Sequence, residues 1–252
     1  MKEYPRWISK YFAPYDPIDL ARKTQAIVCK GNSRKYTKFY CVGVYGGIST
    51  GYTVGCCLRC VFCWVDPSRD FPERMGNFFT PQQVFLRLIN NAKKKKIPRI
   101  RISGGEPALG KGHLLNVLDL IESTDYHFIL ETNGILFGAD KGYVHSLKKY
   151  SNIHIRLSLK AGTPEGFQQR TGAKASFYEL PYQGIRHLKE EGISFHVACM
   201  SDPWLMPANE RRSMFKKLKN LGYRDYLEEE TCDPYDNSLV RLEKAEFQIL
   251  KR

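Results

Sequence analysis

The sequence predicts an α/β fold, a single-domain partial (β/α)6 TIM-like barrel, and three observations point there. Short β-branched or aromatic runs alternate with amphipathic stretches along most of the chain. Six such runs leave five crossovers, which suit an open parallel sheet better than a closed eight-stranded barrel. No Pro/Gly/Ser linker and no repeat of about 20 to 50 residues divides the chain, and 252 residues bury a sizeable core without disulfides.

Residues 1–36 read as an N-terminal extension, 37–230 as the barrel and 231–252 as a C-terminal tail. The first strand is expected at KFYCVGVY (38–45), after which Gly51 and Gly55 mark an exposed turn. A helical pattern at 80–95 leads to RIRIS (99–103), and one at 111–123 to HFILET (127–132). A helix at 141–149 precedes HIRLSLK (154–160), and one at 175–190 precedes SFHVACM (194–200). The helix at 207–221, ended by Gly222 in the C′ position, precedes YRDYLEE (223–229). In such a fold ligands gather where the βα loops meet, so functional residues should follow strands.

Composition narrows the class. Hydrophobic residues at 42% and charged residues at 26% describe an ordinary globular chain and exclude a disordered one. No run of eighteen apolar residues and no signal-peptide pattern occurs, so a cytoplasmic location with no membrane contact is expected. Lys and Arg outnumber Asp and Glu by 39 to 26, a formal charge of +13 that favours a polyanionic or acidic partner or else coats a solvated surface. Four of the eight cysteines fall between 56 and 63, and clustered thiols in a reducing compartment point to metal.

Cys56, Cys60 and Cys63 in GCCLRCVFCW have the spacing C-x3-C-x2-C. Three thiolates on a [4Fe–4S] cube leave one iron open to another ligand. Reading through Cys57 gives C-x2-C-x2-C, the start of a ferredoxin run, but the place of its fourth cysteine is taken by Pro67. A zinc site would need a second close pair, and Cys199 and Cys232 stand far apart.

With Phe62 just before the last cysteine, this motif resembles the signature of the radical S-adenosylmethionine (SAM) superfamily. The likeness continues in order over roughly 38–228, through SGGEP (103–107), LETNG (130–134) and LSLK (157–160), and implies that family's partial barrel. It also implies a cluster on Cys56, Cys60 and Cys63, with SAM chelating the open iron and cleaved on reduction to a 5′-deoxyadenosyl radical. SAM contacts are implied at Phe62, Gly104, Gly105, Glu106, Thr132, Asn133, Ser158, Lys160 and Arg170, the last aimed at the SAM carboxylate. Trp64 is expected to cover the cluster or to be ordinary core. His196 reads as a satisfied core histidine and Cys199 as a small buried hydrophobe. No residue acting on the substrate is indicated.

FCW resembles wybutosine-pathway tRNA enzymes, whereas ETNG and LSLK look more like glycyl-radical activases. Ser158 stands where those activases carry an acidic residue, which puts a cation site of their type in doubt. A tRNA or protein substrate is therefore expected, with a one-electron reductant such as ferredoxin or flavodoxin. A small metabolite, or a cluster protein that only transfers electrons, are the alternatives. The basic groups at Lys93–Lys96 and on 207–221 offer phosphate-sized patches, the first of them on the face away from the site. The loop at 201–207 is placed to shape a substrate pocket.

Overall fold

In the computed structural model, which describes residues 4–247, α1 (Pro17–Val28) leads through β1 (Cys29–Lys30) into β2 (Ser33–Val42) and β3 (Ile48–Thr53). A cysteine-rich loop follows, then β4 (Asn77–Phe79), α2 (Pro81–Lys95), β5 (Arg99–Gly104), α3 (Lys111–Glu122) and β6 (His127–Thr132). Next come α4 (Ile135–Ala139), α5 (Lys141–His145), β7 (Ile153–Leu159), α6 (Pro164–Thr171) and α7 (Glu179–Glu190). The chain continues through β8 (Phe195–Met200), α8 (Ala208–Asn220) and β9 (Leu227–Glu230) to α9 (Asp236–Lys244). Among the described residues the strands form one sheet in the order β1-β2-β3-β5-β6-β7-β8-β9, with β4 paired to β2. From β3 onward along that order every pairing is parallel, which is the six-stranded partial barrel the sequence predicts.

Five of the expected strands lie at or near their expected places; the first does not. Residues 38–45 fall largely on β2, which runs antiparallel to β3, and ISTGYT at 48–53 is the first barrel strand. Gly51, read as part of an exposed turn, is buried in mid-strand. A Cβ there would lie 2.9 Å from the Phe39 ring, so this glycine marks close packing of one strand on another's aromatics. Residues 33–36 of the expected extension are continuous with β2, and α1 reaches the cysteine loop through Thr24 Oγ1, which donates to Cys56 O at 3.4 Å. The outer ends of the extension and tail, 1–3 and 248–252, lie outside the described residues. Gly222 adopts φ +69° just past α8, as expected, and Thr80 and Gln83 close a capping box on α2 that sequence reading did not single out. The helix expected at 141–149 stops at His145, and α4 and α6 are additional.

The two faces of the parallel strands differ in chemistry. Ile100, Ile102, Phe128, Leu130, Ile155, Leu157 and Val197 join the core formed with the helices. The alternate positions carry Arg101, Ser103, Glu131, Arg156, Ser158, His196, Glu228 and Glu230, which bond to one another across the bore. Parallel strands are usually apolar on both faces; here the bore is a charge network. No helix among the described residues is long and apolar enough to cross a membrane.

Candidate functional site

At the C-terminal ends of the strands lies a half-open cavity with about 730 Å³ of atom-free space, part of it continuous with solvent. Cys56, Cys60 and Cys63 all line it, and Cys57 does not. Cys57 is fully buried, and Asn133 Nδ2 donates to its sulfur at 3.3 Å. Three of the four clustered thiols therefore face one space, and they are the three of the C-x3-C-x2-C spacing. Burial pushes the Cys60 thiol up to about 12, while the hydrogen bond from Cys57 pulls Cys56 down to about 7.

The loop that carries these thiols is held by backbone and by buried arginines. Arg59 N and Val61 N donate to the carbonyls of Thr171 and Arg170, both at 2.9 Å, which hangs the loop on the end of α6. Arg59 donates to the carbonyls of Cys56 and Leu58, and Arg69 to that of Cys60 at 2.6 Å. Arg241, from α9, donates to the carbonyls of Cys63 and Val65. Asp70 lies between Arg69 and Arg241 and pairs with both. Residues expected to belong to a tail thus complete the cysteine loop.

The SGGEP segment docks directly on this loop. Gly105 N donates to Thr53 O at 2.9 Å and Glu106 N to Gly55 O at 2.8 Å. The buried Glu106 carboxylate accepts from Thr132 Oγ1 at 2.7 Å, Asn133 N at 2.9 Å and Ala108 N at 3.0 Å. Burial raises its pKa and these donors oppose the rise. Glu106 therefore ties the loop after β5 to the loop after β6. Thr132 and Asn133 line the cavity beside it, and Asn133 also bridges to the cysteine loop.

On the facing wall Lys160 Nζ donates to Ser158 Oγ at 2.6 Å and stands 5.8 Å from the centre of the Phe62 ring. Ser158 Oγ in turn donates to Glu230 at 3.2 Å. Phe62, Gly104, Gly105, Glu106, Thr132, Asn133, Ser158 and Lys160 all line the cavity with the three cysteines. Arg170 does not. Its guanidinium is buried and donates to Glu210, to Leu205 O at 2.7 Å and to Lys160 O at 3.1 Å. The expectation that it faces the SAM carboxylate is corrected: the buried carboxylate of Glu210 on α8 claims it. Trp64 lines the cavity while remaining 45% exposed. His196 is satisfied by His154 at 2.7 Å and Glu228 at 3.1 Å, and Cys199 is buried, both as expected. The 201–207 loop, expected to shape a substrate pocket, contributes no residue to the cavity lining; Met200, the last residue of β8, does line it.

Sequence reading missed Glu131, Arg156 and Glu230, which form the deeper wall. Glu131 pairs with Arg101 at 2.5 Å and Arg156 with Glu230 at 2.7 Å. The alternation in RIRIS, HFILET and HIRLSLK carries the signal, because charged residues on every second position of a buried strand must face a polar bore.

No three His, Cys, Asp or Glu side chains among the described residues converge on a single ion-sized point. A cubane makes a different demand: each cysteine binds its own iron corner, so three soft thiols distributed around one cavity fit it. A family model described as the radical SAM superfamily matches residues 51–223. The chain belongs to that superfamily. The radical SAM cofactors, a [4Fe–4S] cluster and SAM, match the donor set in the cavity.

Among curated proteins, the GTP 3′,8-cyclase of Peptoclostridium acidaminophilum is 27% identical over 140 residues, covering 55% of this chain and 41% of that protein. The chain thus spans less than half the length of this radical SAM relative. Among solved structures, Streptococcus suis SuiB bound to S-adenosylmethionine aligns with a TM-score of 0.56 and 18% identity, over 76% of this chain and 44% of that one. TYW1 with a lysine-pyruvate adduct bound gives a TM-score of 0.53 and 16% identity, over 80% and 68%. At these identities the structural likeness establishes the fold.

Proposed function

We propose that the protein is a radical SAM enzyme in which Cys56, Cys60 and Cys63 ligate the cluster. When bound, the cluster and SAM supply reductive cleavage of a C–S bond, giving a 5′-deoxyadenosyl radical that takes a hydrogen atom from substrate. The observation that carries this reading is the selective exposure of three of the four neighbouring thiols to the cavity that SGGEP, ETNG and LSLK also line. Gly104, Gly105, Thr132 and Asn133 offer backbone and short polar groups to the SAM amino acid and ribose. Ser158 and Lys160 offer a hydroxyl and an ammonium to its carboxylate, and Phe62 an apolar face to its adenine. Glu106 holds two of the loops in register. The catalytic unit corresponds to residues 37–230, with α9 securing the cysteine loop.

The substrate on this reading is a residue of a macromolecule, in tRNA or protein. A cavity edged by the exposed Trp64 and a chain of charge +13 support it. The relative's name, GTP 3′,8-cyclase, favours a small nucleotide instead. An acidic one-electron donor such as ferredoxin or flavodoxin serves as reductant, and its acidity suits the same charge.

Anaerobic reconstitution tests the ligand set. Cys56→Ala, Cys60→Ala and Cys63→Ala are expected to lose the cluster by iron and sulfide counts, with Cys57→Ala retaining it. A full iron complement in Cys56→Ala would shift the register to Cys57. Reduced holoprotein is expected to release 5′-deoxyadenosine, and a chain that only carries electrons would release none. Deuterated cell fractions then report which one passes deuterium into deoxyadenosine.

A further inference from the structure

We propose that a groove beside the cofactor cavity is a subsite for a nucleobase of the substrate, which deepens and rests on the reading above. The groove lies between the β2–β3 hairpin, the cysteine loop and α9, and holds about 480 Å³ of atom-free space that opens to solvent. Trp64, Val65 and Gly104 line both it and the cofactor cavity, so the two adjoin along that lip. A group held here stands next to the reacting centre.

Its walls have two kinds of chemistry. The first is planar. Tyr40 stacks on Tyr52 at 4.8 Å and 22°, Trp64 stands edge-on to Tyr52 at 6.0 Å, and Tyr40 and Trp64 are 44% and 45% exposed. Aromatic faces left to water beside an active cavity are positioned to stack on a ring.

The second is polar and unsatisfied. Ser68 lines the groove at 1% exposure, and its Oγ has no hydrogen-bond partner among the described residues. Buried hydroxyls without partners are rare, and a group held in the groove that Ser68 lines is one source of a partner for it. Asp66, also lining the groove, spends Oδ1 on the Ser68 amide at 3.0 Å, and Asn237 and Lys38 complete the rim. An aliphatic or phenyl side chain would match the aromatic faces and offer nothing to the Ser68 hydroxyl or to the second carboxylate oxygen of Asp66. A heteroaromatic ring whose edge carries N–H and carbonyl groups matches both, and the Lys38 ammonium suits an attached phosphate. A free nucleotide and an unpaired base of a nucleic acid share that chemistry.

Titration of the anaerobically reconstituted protein with GMP, AMP, ribose 5-phosphate and an unstructured RNA nonamer, read by equilibrium dialysis, tests this. The nucleotides are expected to bind at least about tenfold more tightly than ribose 5-phosphate, the order of effect that stacking a base supplies. Tyr40→Leu is expected to weaken GMP on the order of tenfold and Ser68→Ala a few-fold, with iron content unchanged in both. A nonamer that binds more tightly than GMP, with steep salt dependence, identifies nucleic acid as the source; equal affinities identify a free nucleotide. Equal binding of ribose 5-phosphate and GMP, indifference to both substitutions, or loss of GMP binding under saturating S-adenosylhomocysteine would each overturn the subsite. Because binding is measured apart from turnover, a protein that binds GMP yet releases no deoxyadenosine refutes the proposed activity and leaves the subsite standing. The converse result refutes the subsite alone.

Discussion

At position 105 nothing larger than hydrogen has room, because a Cβ would lie 2.0 Å from the Gly55 carbonyl oxygen. That contact lets the SGGEP loop hydrogen-bond the first turn of the cysteine loop. Gly105→Ala is expected to push the two loops apart, destabilising the fold by about 1–3 kcal/mol and lowering iron content after reconstitution. Wild-type iron counts and denaturation midpoint together would refute the docking role. The family resemblance marked the glycine pair as cofactor contacts; that its second member also packs on the protein's own backbone was not legible, since Gly55 is distant in sequence. Arg170 teaches the same lesson. Its sequence neighbourhood resembles a cofactor contact, but Glu210, forty residues on, fixes it in the interior. Arg170→Gln leaves the buried Glu210 carboxylate with the Gly162 amide but without its guanidinium partner, and a loss on the order of 3–5 kcal/mol is expected by urea denaturation. A small loss with abolished SAM binding would restore the cofactor role.

Among the elements, α9 carries the largest departure from expectation. Residues 231–252 have no strand alternation and read as a tail, yet Arg241 reaches the carbonyls of Cys63 and Val65 and pairs with Asp70. Sequence periodicity shows that a helix is amphipathic but not which loop it meets, so this contact could not be foreseen. Arg241→Ala leaves Asp70 with Arg69 alone and frees the last turn of the cysteine loop. Reconstituted Arg241→Ala is expected to hold less iron and to lose it faster to a chelator, with Arg241→Lys intermediate. Equal chelation rates in all three proteins would show that α9 is a bystander. β3 was hidden for a different reason. Gly51 at its centre imitates a turn, because close packing against Phe39 and Tyr36 leaves no room for a Cβ at that one position.

For the whole molecule, strand count and motif order made the barrel and most of the cavity lining readable, while the charged bore was visible only as an unexploited alternation. Acid should expose a further global property. His113 accepts burial at the cost of its proton: desolvation pulls its pKa from 6.5 to about 4, and His154 falls to about 4 for the same first cause. The unfolded chain takes up those protons near pH 6.5 and the folded one resists. Their contribution is therefore complete above pH 6.5 and drains away as pH falls from there through 4. Denaturant midpoints are expected to decline across that window, and less steeply in His113→Gln. Identical slopes in the two proteins would remove His113 as a cause.

A bore filled with ion pairs has a consequence for how such a scaffold diversifies. The greasy layer that keeps the sheet against its helices is spatially separate from the residues that greet a ligand, so exchanging both members of an ion pair inside the channel, such as Arg101 with Glu131, for neutral groups alters what is admitted without eroding the packing outside. New specificities can thus arise by paired replacements on strands whose hydrophobic backs stay untouched.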